Sequence, residues 1–500
     1  MRGCAGGANG YLPGTSVAYR QLWVGHDVAQ EWKGGRRVAR SRGGRRRGRG
    51  AVAALAAILL LGGGYAAADA ADVVPGVLTT TPPVPEPAPF PQPTAAPAEP
   101  LLPALDPDVP PPSPDTLTEI SRELVEDVRT GGDVGVVVRD ARTGEVLVDI
   151  GGAAPRTPAS SLKLLGAVAA LDALGPGHVL RTTAVMGEPG QVVLVGGGDV
   201  LLTAGEARPH DAVGRASLRD LAARTAEALD GQEVTVALDD TLFSGPRYAP
   251  GWGGIDLDFV MPIQPIAVDA GVSPEGGYQD DPALAAARAF ADALRAEGVT
   301  VRGEVTRAVA PAGATELAAV ESAPLRDVVA HTLAVSENSV SEVLARLVAV
   351  ADGQDPTFAG ATRAVLARLA ALGVPTDGVT LADTSGLLVE NQVPTAVLAD
   401  VMATALDPDR PDLRGAVTGL PVAALEGTLS TRMHNAAAGV LRAKTGTLLS
   451  AVSLTGLVLD ADGRLLVFAV VADDLELGGV GPARAAIDEW AARVAACGCR

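Results

Sequence analysis

The chain has 500 residues, enough for two or three domains, and 47% of them are hydrophobic, enough for a substantial core. Its net charge of −19 is unevenly divided: residues 1–50 hold 11 basic and 2 acidic side chains, so the remainder carries −28. An acidic body argues against nucleic acid as a partner. The three cysteines, Cys4, Cys497 and Cys499, have no histidine near them and form no zinc pattern; Cys497-Gly498-Cys499 is left as a local disulfide or as free thiols.

The basic head, residues 1–50, precedes an apolar run from Ala51 to Leu61 and then Gly62-Gly63-Gly64-Tyr65-Ala66-Ala67-Ala68. The run suits the hydrophobic region of a signal peptide, and Ala66-Ala67-Ala68 resembles its cleavage site. With the glycines included, about 18 uncharged residues also suffice for a membrane anchor. Residues 51–70 are therefore expected to direct export, by either route, with the basic head as the cytoplasmic flank. Between residues 75 and 114, 16 of 40 positions are proline. No core can form there, so residues 71–116 read as an extended linker.

Ordered structure is expected from residue 117. A helix over 117–128 leads to a hairpin of strands 134–139 and 146–150. Next comes Thr157-Pro158-Ala159-Ser160-Ser161-Leu162-Lys163. Thr157 is expected to cap a helix with Pro158 at its first position, and Gly175-Pro176 to stop it. At this spacing Ser160 and Lys163 share a face. A hydroxyl is a weak nucleophile until a base removes its proton. An amine can be that base only when neutral, a state that burial or a neighbouring cation favours, and arginine cannot take the role. The composition sharpens the point. Of 40 basic residues only Lys33, Lys163 and Lys444 are lysines, and the two beyond residue 50 both lie in candidate motifs.

Strands at 182–185 and 191–195 follow, and then Gly196-Gly197-Gly198-Asp199, a tight turn that lacks the Lys-Ser/Thr of a phosphate loop. Over 201–310, helices 218–229 and 282–297 alternate with strands 233–238 and 300–309, which reads as an inserted subdomain. Helices 325–335, 340–350, 357–372 and 394–406 come next, then strands 440–442, 448–459 and 465–471 and a last helix at 482–496. An early hairpin and late strands in one sheet, with helices between, make an α+β catalytic domain of residues 117–200 and 311–500.

Two further clusters stand out. Ser336-Glu337-Asn338 precedes Ser339-Val340-Ser341-Glu342, which on its own reads as a capping box. Lys444-Thr445-Gly446-Thr447 enters a strand, where glycine lets a ligand approach the backbone. Lys444, as a fixed positive charge beside a hydroxyl, can grip a carboxylate. Neither Gly-x-Ser-x-Gly nor His-Glu-x-x-His occurs, so a Ser-His-Asp hydrolase and a zinc protease are disfavoured.

In the order Ser-x-x-Lys, Ser-x-Asn, Lys-Thr-Gly, the chain resembles the serine penicillin-recognising enzymes, namely the penicillin-binding proteins and serine β-lactamases. The long interval from Ser160 to Ser336 resembles that of the low-molecular-mass class C penicillin-binding proteins, peptidase family S13, the D-alanyl-D-alanine carboxypeptidase/endopeptidases. Supporting stretches are Gly196-Gly197-Gly198-Asp199, Leu238-Asp239-Asp240-Thr241-Leu242-Phe243, Pro250-Gly251-Trp252, Asp383-Thr384-Ser385-Gly386-Leu387 and Glu426-Gly427-Thr428-Leu429. The resemblance covers about residues 117–495. It departs from the family in Glu337, where aspartate is usual, and in a shorter insertion.

The resemblance implies a penicillin-binding-protein-like transpeptidase domain and an acyl-enzyme mechanism that needs no metal or organic cofactor. Ser160 would be the nucleophile and Lys163 its base. Ser336 and Lys444 would relay a proton to the leaving amine. Asn338 would bind the peptide amide, Thr445 and Thr447 beside Gly446 the terminal carboxylate, and the N–H groups of Ser160 and Thr447 would form the oxyanion hole. The implied substrates are peptidoglycan stem peptides, with β-lactams as inhibitors, in the cell envelope outside the cytoplasm, the protein being secreted or anchored through its N-terminal segment. Two alternatives stand beside this. A β-lactamase is disfavoured because no class A-type Glu-x-x-x-Asn follows Asn338, and a catalytically silent wall-anchored protein is disfavoured by the intact lysines.

Overall fold

The computed structural model describes residues 105–499 together with Tyr65, Ala66 and Asp69. The expectations for the basic head and for most of the export segment and of the proline-rich linker lie outside the described residues. The chain divides into two units after Glu99, and the second, from Pro100 onward, holds all three motifs. Among the described residues no helix is long and apolar enough to cross a membrane.

The end of the linker already lies on the domain. The Arg464 guanidinium donates to the Val109 carbonyl at 2.7 Å, and the Ser113 N–H donates to the Cys499 carbonyl at 2.6 Å. Ser113 also caps the helix Pro114–Val125, with Pro114 in its first turn. Order therefore starts at least eight residues earlier than expected, at Val109, because a buried arginine and a cap give this proline-rich stretch partners.

The central sheet has five antiparallel strands in the order Leu441–Thr447, Val452–Leu459, Leu465–Asp473, Asp133–Asp140 and Val146–Ile150. Asp133 pairs with Asp473 and Asp140 with Leu466, so the early hairpin and the late strands share one sheet, as expected. Their near-continuous apolar runs suit burial on both faces. The helix Val480–Ala495 and the helix Pro114–Val125 cover one face, where Phe468 meets Trp490 edge-on with ring centroids 5.6 Å apart. The helices Lys163–Leu174 and Thr395–Leu406 cover the other, packing Val168, Leu398 and Met402 against Val137, Val467 and Ala469. Each such side chain contributes about 1.5–3 kcal/mol by burial. Leu441–Thr447 is an edge strand whose outer side is bridged at Arg442 by Val422, while from Lys444 to Thr447 that side has no strand partner among the described residues.

The second sheet runs Thr306–Arg307, Thr235–Asp239, Gln191–Val195, Arg181–Met186 and Glu316–Glu321. This corrects the expected insertion of 201–310 at both ends. The strands at 181–195 belong to it, with Gln191–Val195 parallel to Thr235–Asp239, and Glu316–Glu321 closes the far edge against Arg181–Met186. Which sheet a strand joins depends on distant partners and has no local signature. The strand expected at 300–309 shrinks to Thr306–Arg307 plus a bridge from Val301 to Val234. From this subdomain a long loop returns to the main domain, where Trp252 packs edge-on against Phe358 at 5.1 Å.

Candidate active site

The nucleophile turn differs from its expected form. Thr157 is not a cap: its hydroxyl donates to the Val389 carbonyl at 3.3 Å and its N–H to the Asp473 carboxylate at 2.7 Å. The α-helix begins at Lys163, and a 3₁₀ turn, Ala159–Leu162, precedes it. Ala159 is left-handed, with φ 46°, a strained state for a non-glycine residue that costs of order 1–3 kcal/mol. In a 3₁₀ turn residues three apart eclipse one another. Lys163 Nζ accordingly lies 2.8 Å from Ser160 Oγ. Ser161 faces away, its hydroxyl 2.8 Å from that of Ser453 in the core.

Lys163 is 1% exposed. Its Nζ also donates to Asn338 Oδ1 and to the Ser385 carbonyl, both at 2.6 Å. Burial pushes its pKa from the ordinary 10.5 down to about 8, against the opposing pull of Asp383, Glu337 and Glu342.

Ser336 ends the helix Leu325–Val335 in a left-handed conformation, φ 63°, and its Oγ lies 2.8 Å from Lys444 Nζ. The expected capping box does not form. Glu337, one residue before the helix Asn338–Ala351, accepts from the Ser339 N–H at 3.0 Å and is the cap. Ser339 instead accepts from the Met261 N–H, and Glu342 turns toward residues 384–385. Asn338 opens the helix. Its amide is fixed at both ends, since Nδ2 donates to the Phe259 carbonyl at 2.9 Å while Oδ1 accepts from Lys163.

The Lys-Thr-Gly stretch lies within an edge strand rather than at its entrance, with Lys444 opposite Thr455 and Gly446 opposite Ser453. A Cβ at Gly446 would collide with Ser453 Oγ and lie 2.8 Å from the Pro158 carbonyl. Only glycine lets this strand approach the nucleophile turn. Thr445 donates to the Thr428 hydroxyl at 2.9 Å, whereas Thr447 is exposed. Lys444 is fully buried, and among the described residues no carboxylate pairs with it. Its Nζ donates to Ser336 Oγ and, at 2.6 Å, to the Thr445 carbonyl. Burial, then Lys163 and Arg432, push its pKa well below the usual lysine value. Burial and these two cations therefore oppose the positive charge expected of this amine.

Residues 118–279 and 274–494 match the D-Ala-D-Ala carboxypeptidase 3 (S13) family. The chain is 38% identical, over 73% of its length and 82% of the relative's, to carboxypeptidase DacB of Mycolicibacterium smegmatis. The chain belongs to the S13 family. It is a serine-type D-Ala-D-Ala carboxypeptidase. It is also 30% identical to a D-alanyl-D-alanine carboxypeptidase of an Actinomadura species, over 75% of this chain and 84% of that one. Its fold matches penicillin binding protein 4 (dacB) of Haemophilus influenzae with a TM-score of 0.61 and 21% identity, over 75% of this chain and 98% of that one.

Three parts of the peptidase's site have no motif of their own. Phe259 meets Asn338 through a backbone carbonyl, which no sequence pattern marks. Asp383 and Ser385 lie in a stretch that carried resemblance but no assigned role. The signal there is Gly386, with φ 81°, where a Cβ would collide with the Ala159 carbonyl and lie 3.1 Å from the Ser160 nitrogen. Glu342 was hidden inside an apparent cap.

Proposed function

We propose that this peptidase cleaves the terminal D-Ala-D-Ala bond of peptidoglycan stem peptides with Ser160 as nucleophile and Lys163 as general base. One observation carries the assignment: the hydrogen-bond directions around Lys163 Nζ. A neutral amine has two N–H bonds and one lone pair. Asn338 Oδ1 and the Ser385 carbonyl are pure acceptors and take both N–H groups, so the remaining direction, toward Ser160, is the lone pair.

The Ser160 proton passes to Lys163 Nζ as Oγ attacks the carbonyl carbon of the penultimate D-alanine. The tetrahedral oxyanion is received by the Ser160 and Thr447 N–H groups. As the C–N bond breaks, the departing amine takes a proton from Ser336, and the proton that Lys163 took from Ser160 passes on through Lys444 to Ser336, so both amines end as they began. A buried amine with no carboxylate partner among the described residues suits that relay, since it does not hold on to an added proton. Thr447, on the exposed end of the edge strand, meets the substrate's carboxylate. Water then hydrolyses the Ser160 ester and regenerates the enzyme. A β-lactam would acylate Ser160 in the same way, and its leaving nitrogen would stay attached. Action on stem peptides places the enzyme in the cell envelope, outside the cytoplasm.

The test is to label the purified chain with fluorescent penicillin, follow the label over time, and measure D-alanine release from a peptide ending in D-Ala-D-Ala. The expected result is a long-lived adduct on Ser160 and released D-alanine. Rapid loss of label would favour the β-lactamase reading, and no label with no D-alanine a silent protein.

A further inference from the structure

The helix Asn338–Ala351 is buried around almost its whole circumference, yet it carries three polar side chains four residues apart, Asn338, Glu342 and Arg346. This spacing puts them on one stripe. Each serves a different segment. Asn338 holds Lys163. Arg346 donates to the carbonyls of Ser244, Pro246 and Pro356 and lies over the Phe358 ring at 4.2 Å. Glu342 holds the loop that carries Ser385. One of its oxygens accepts from the N–H groups of Thr384 at 2.9 Å and Ser385 at 2.7 Å, and the other from the Thr384 hydroxyl at 2.8 Å.

The loop is secured from its other side by Asp383, which accepts from the Gly386 and Leu388 N–H groups, from Asn391 and from the Trp252 indole. At Gly386 it presses against the nucleophile turn. Between these fixings lies the Ser385 carbonyl, 2.6 Å from Lys163 Nζ. Two carboxylates without solvent are a costly way to secure a loop, and here they converge on one acceptor of the catalytic amine.

We propose that Glu342 is a positioning residue for acylation: by clamping the Thr384–Ser385 backbone it aims the Ser385 carbonyl at Lys163 and so turns the lone pair of that amine onto Ser160. This rests on the assignment of Lys163 as base. The clamp needs acceptor geometry rather than charge. A glutamine keeps an oxygen for the two N–H groups, and its NH₂ can donate to the Thr384 hydroxyl, which reverses its own hydrogen. An alanine releases all three bonds.

The charge has a separate effect. Lys163 is faced by Asp383, Glu337 and Glu342 and by Lys444; Glu342 is faced by Asp383, Arg346 and Lys163. Burial and Asp383 push the Glu342 carboxyl up to about 7, so its charge favours the Lys163 ammonium above that pH, and removing it lets the base stay neutral to somewhat lower pH.

The experiment measures acylation rate against pH with fluorescent penicillin, and kcat and KM on a D-Ala-D-Ala peptide, for wild type, E342A and E342Q. E342A is expected to acylate about a hundredfold more slowly, the scale of a misaimed catalytic group, with KM changed less than threefold. E342Q is expected to lose no more than tenfold at its optimum and to move the acidic limb to lower pH. Wild-type rates in E342A, a loss in E342Q equal to that in E342A, or a loss expressed mainly in KM would overturn the proposal. If E342A does not fold, E342Q decides alone: a loss beyond tenfold, or one expressed mainly in KM, counts against it. A wild-type chain that takes no label at Ser160 would instead refute the underlying assignment of the base.

Discussion

Lys163 and Lys444 each hold a serine hydroxyl at 2.8 Å, and both are buried. Lys163 lies among Asp383, Glu337 and Glu342, whereas the charged groups that act on Lys444 are the cations Lys163 and Arg432. Burial lowers the proton affinity of both amines, and the neighbours decide how far. Carboxylates stop the fall for Lys163 near pH 8, which leaves an amine that is about one-tenth neutral at pH 7 and still strong enough to take a serine proton. Lys444 has no such opposing carboxylate, and burial, Lys163 and Arg432 all push its proton affinity down. Contact geometry alone would assign the two pairs the same job; the surrounding charges distinguish them.

The sharpest way to break this distinction is Lys163→Arg. A guanidinium does not deprotonate, so acylation should fall by about a thousandfold or more. Retention of a tenth of the rate, followed by fluorescent penicillin, would remove Lys163 as base. The next effect is about a hundredfold. Because only the neutral amine accepts a proton and its pKa is about 8, the wild-type rate should be flat above that pH and fall tenfold per unit below it, reaching roughly one hundredth at pH 6. A flat profile from pH 6 to 9 would contradict a lysine base.

Lys444→Met sharpens the contrast. It removes the relay but no carboxylate, so acylation should drop about thirtyfold while the acidic limb stays within about half a unit of wild type. A limb that moves further would show that Lys444 carries charge in the free enzyme. Smallest is Ser161→Ala, which removes a core hydrogen bond to Ser453 worth about 1 kcal/mol. Denaturant unfolding should register that loss, while mass spectrometry finds the penicilloyl group on Ser160 as before; an adduct lost with Ser161 would reverse the two serines' roles.

The same contrast explains what the amino-acid sequence could reveal. Ser160 and Lys163 are three residues apart, so local geometry brings them together whether the turn is α or 3₁₀. Helices with clear apolar stripes, such as Leu218–Leu229 and Leu325–Val335, are legible for the same reason. Ser336 and Lys444 are 108 residues apart and could be joined only through the family order of motifs. Glu342 and Ser385 had no such help. Ser339 and Glu342 have the composition of a capping box, and only the approach of residues 384–385 shows that the carboxylate has other partners. The insertion's limits failed likewise, since the hairpin at 181–195 finds its sheet through Thr235–Asp239 and Glu316–Glu321.

The contacts of Val109 with Arg464 and of Ser113 with Cys499 have a mechanical meaning. Arg464 sits in the hairpin that joins the last two strands, at the end of the central sheet away from Thr447 and Val452. From Leu465 to Val471, opposite the Ser453 that touches the nucleophile turn, is six strand residues, roughly 20 Å. A pull on the stretch from Val109 to Ser113 is borne first by the Arg464 hairpin and the residues that follow the helix Val480–Ala495, with the length of the sheet between the point of load and Ser160. The Val109 and Ser113 attachments thus lie about a sheet's length from Ser160, so a load on this stretch meets the Arg464 hairpin before it meets the Ser160 turn.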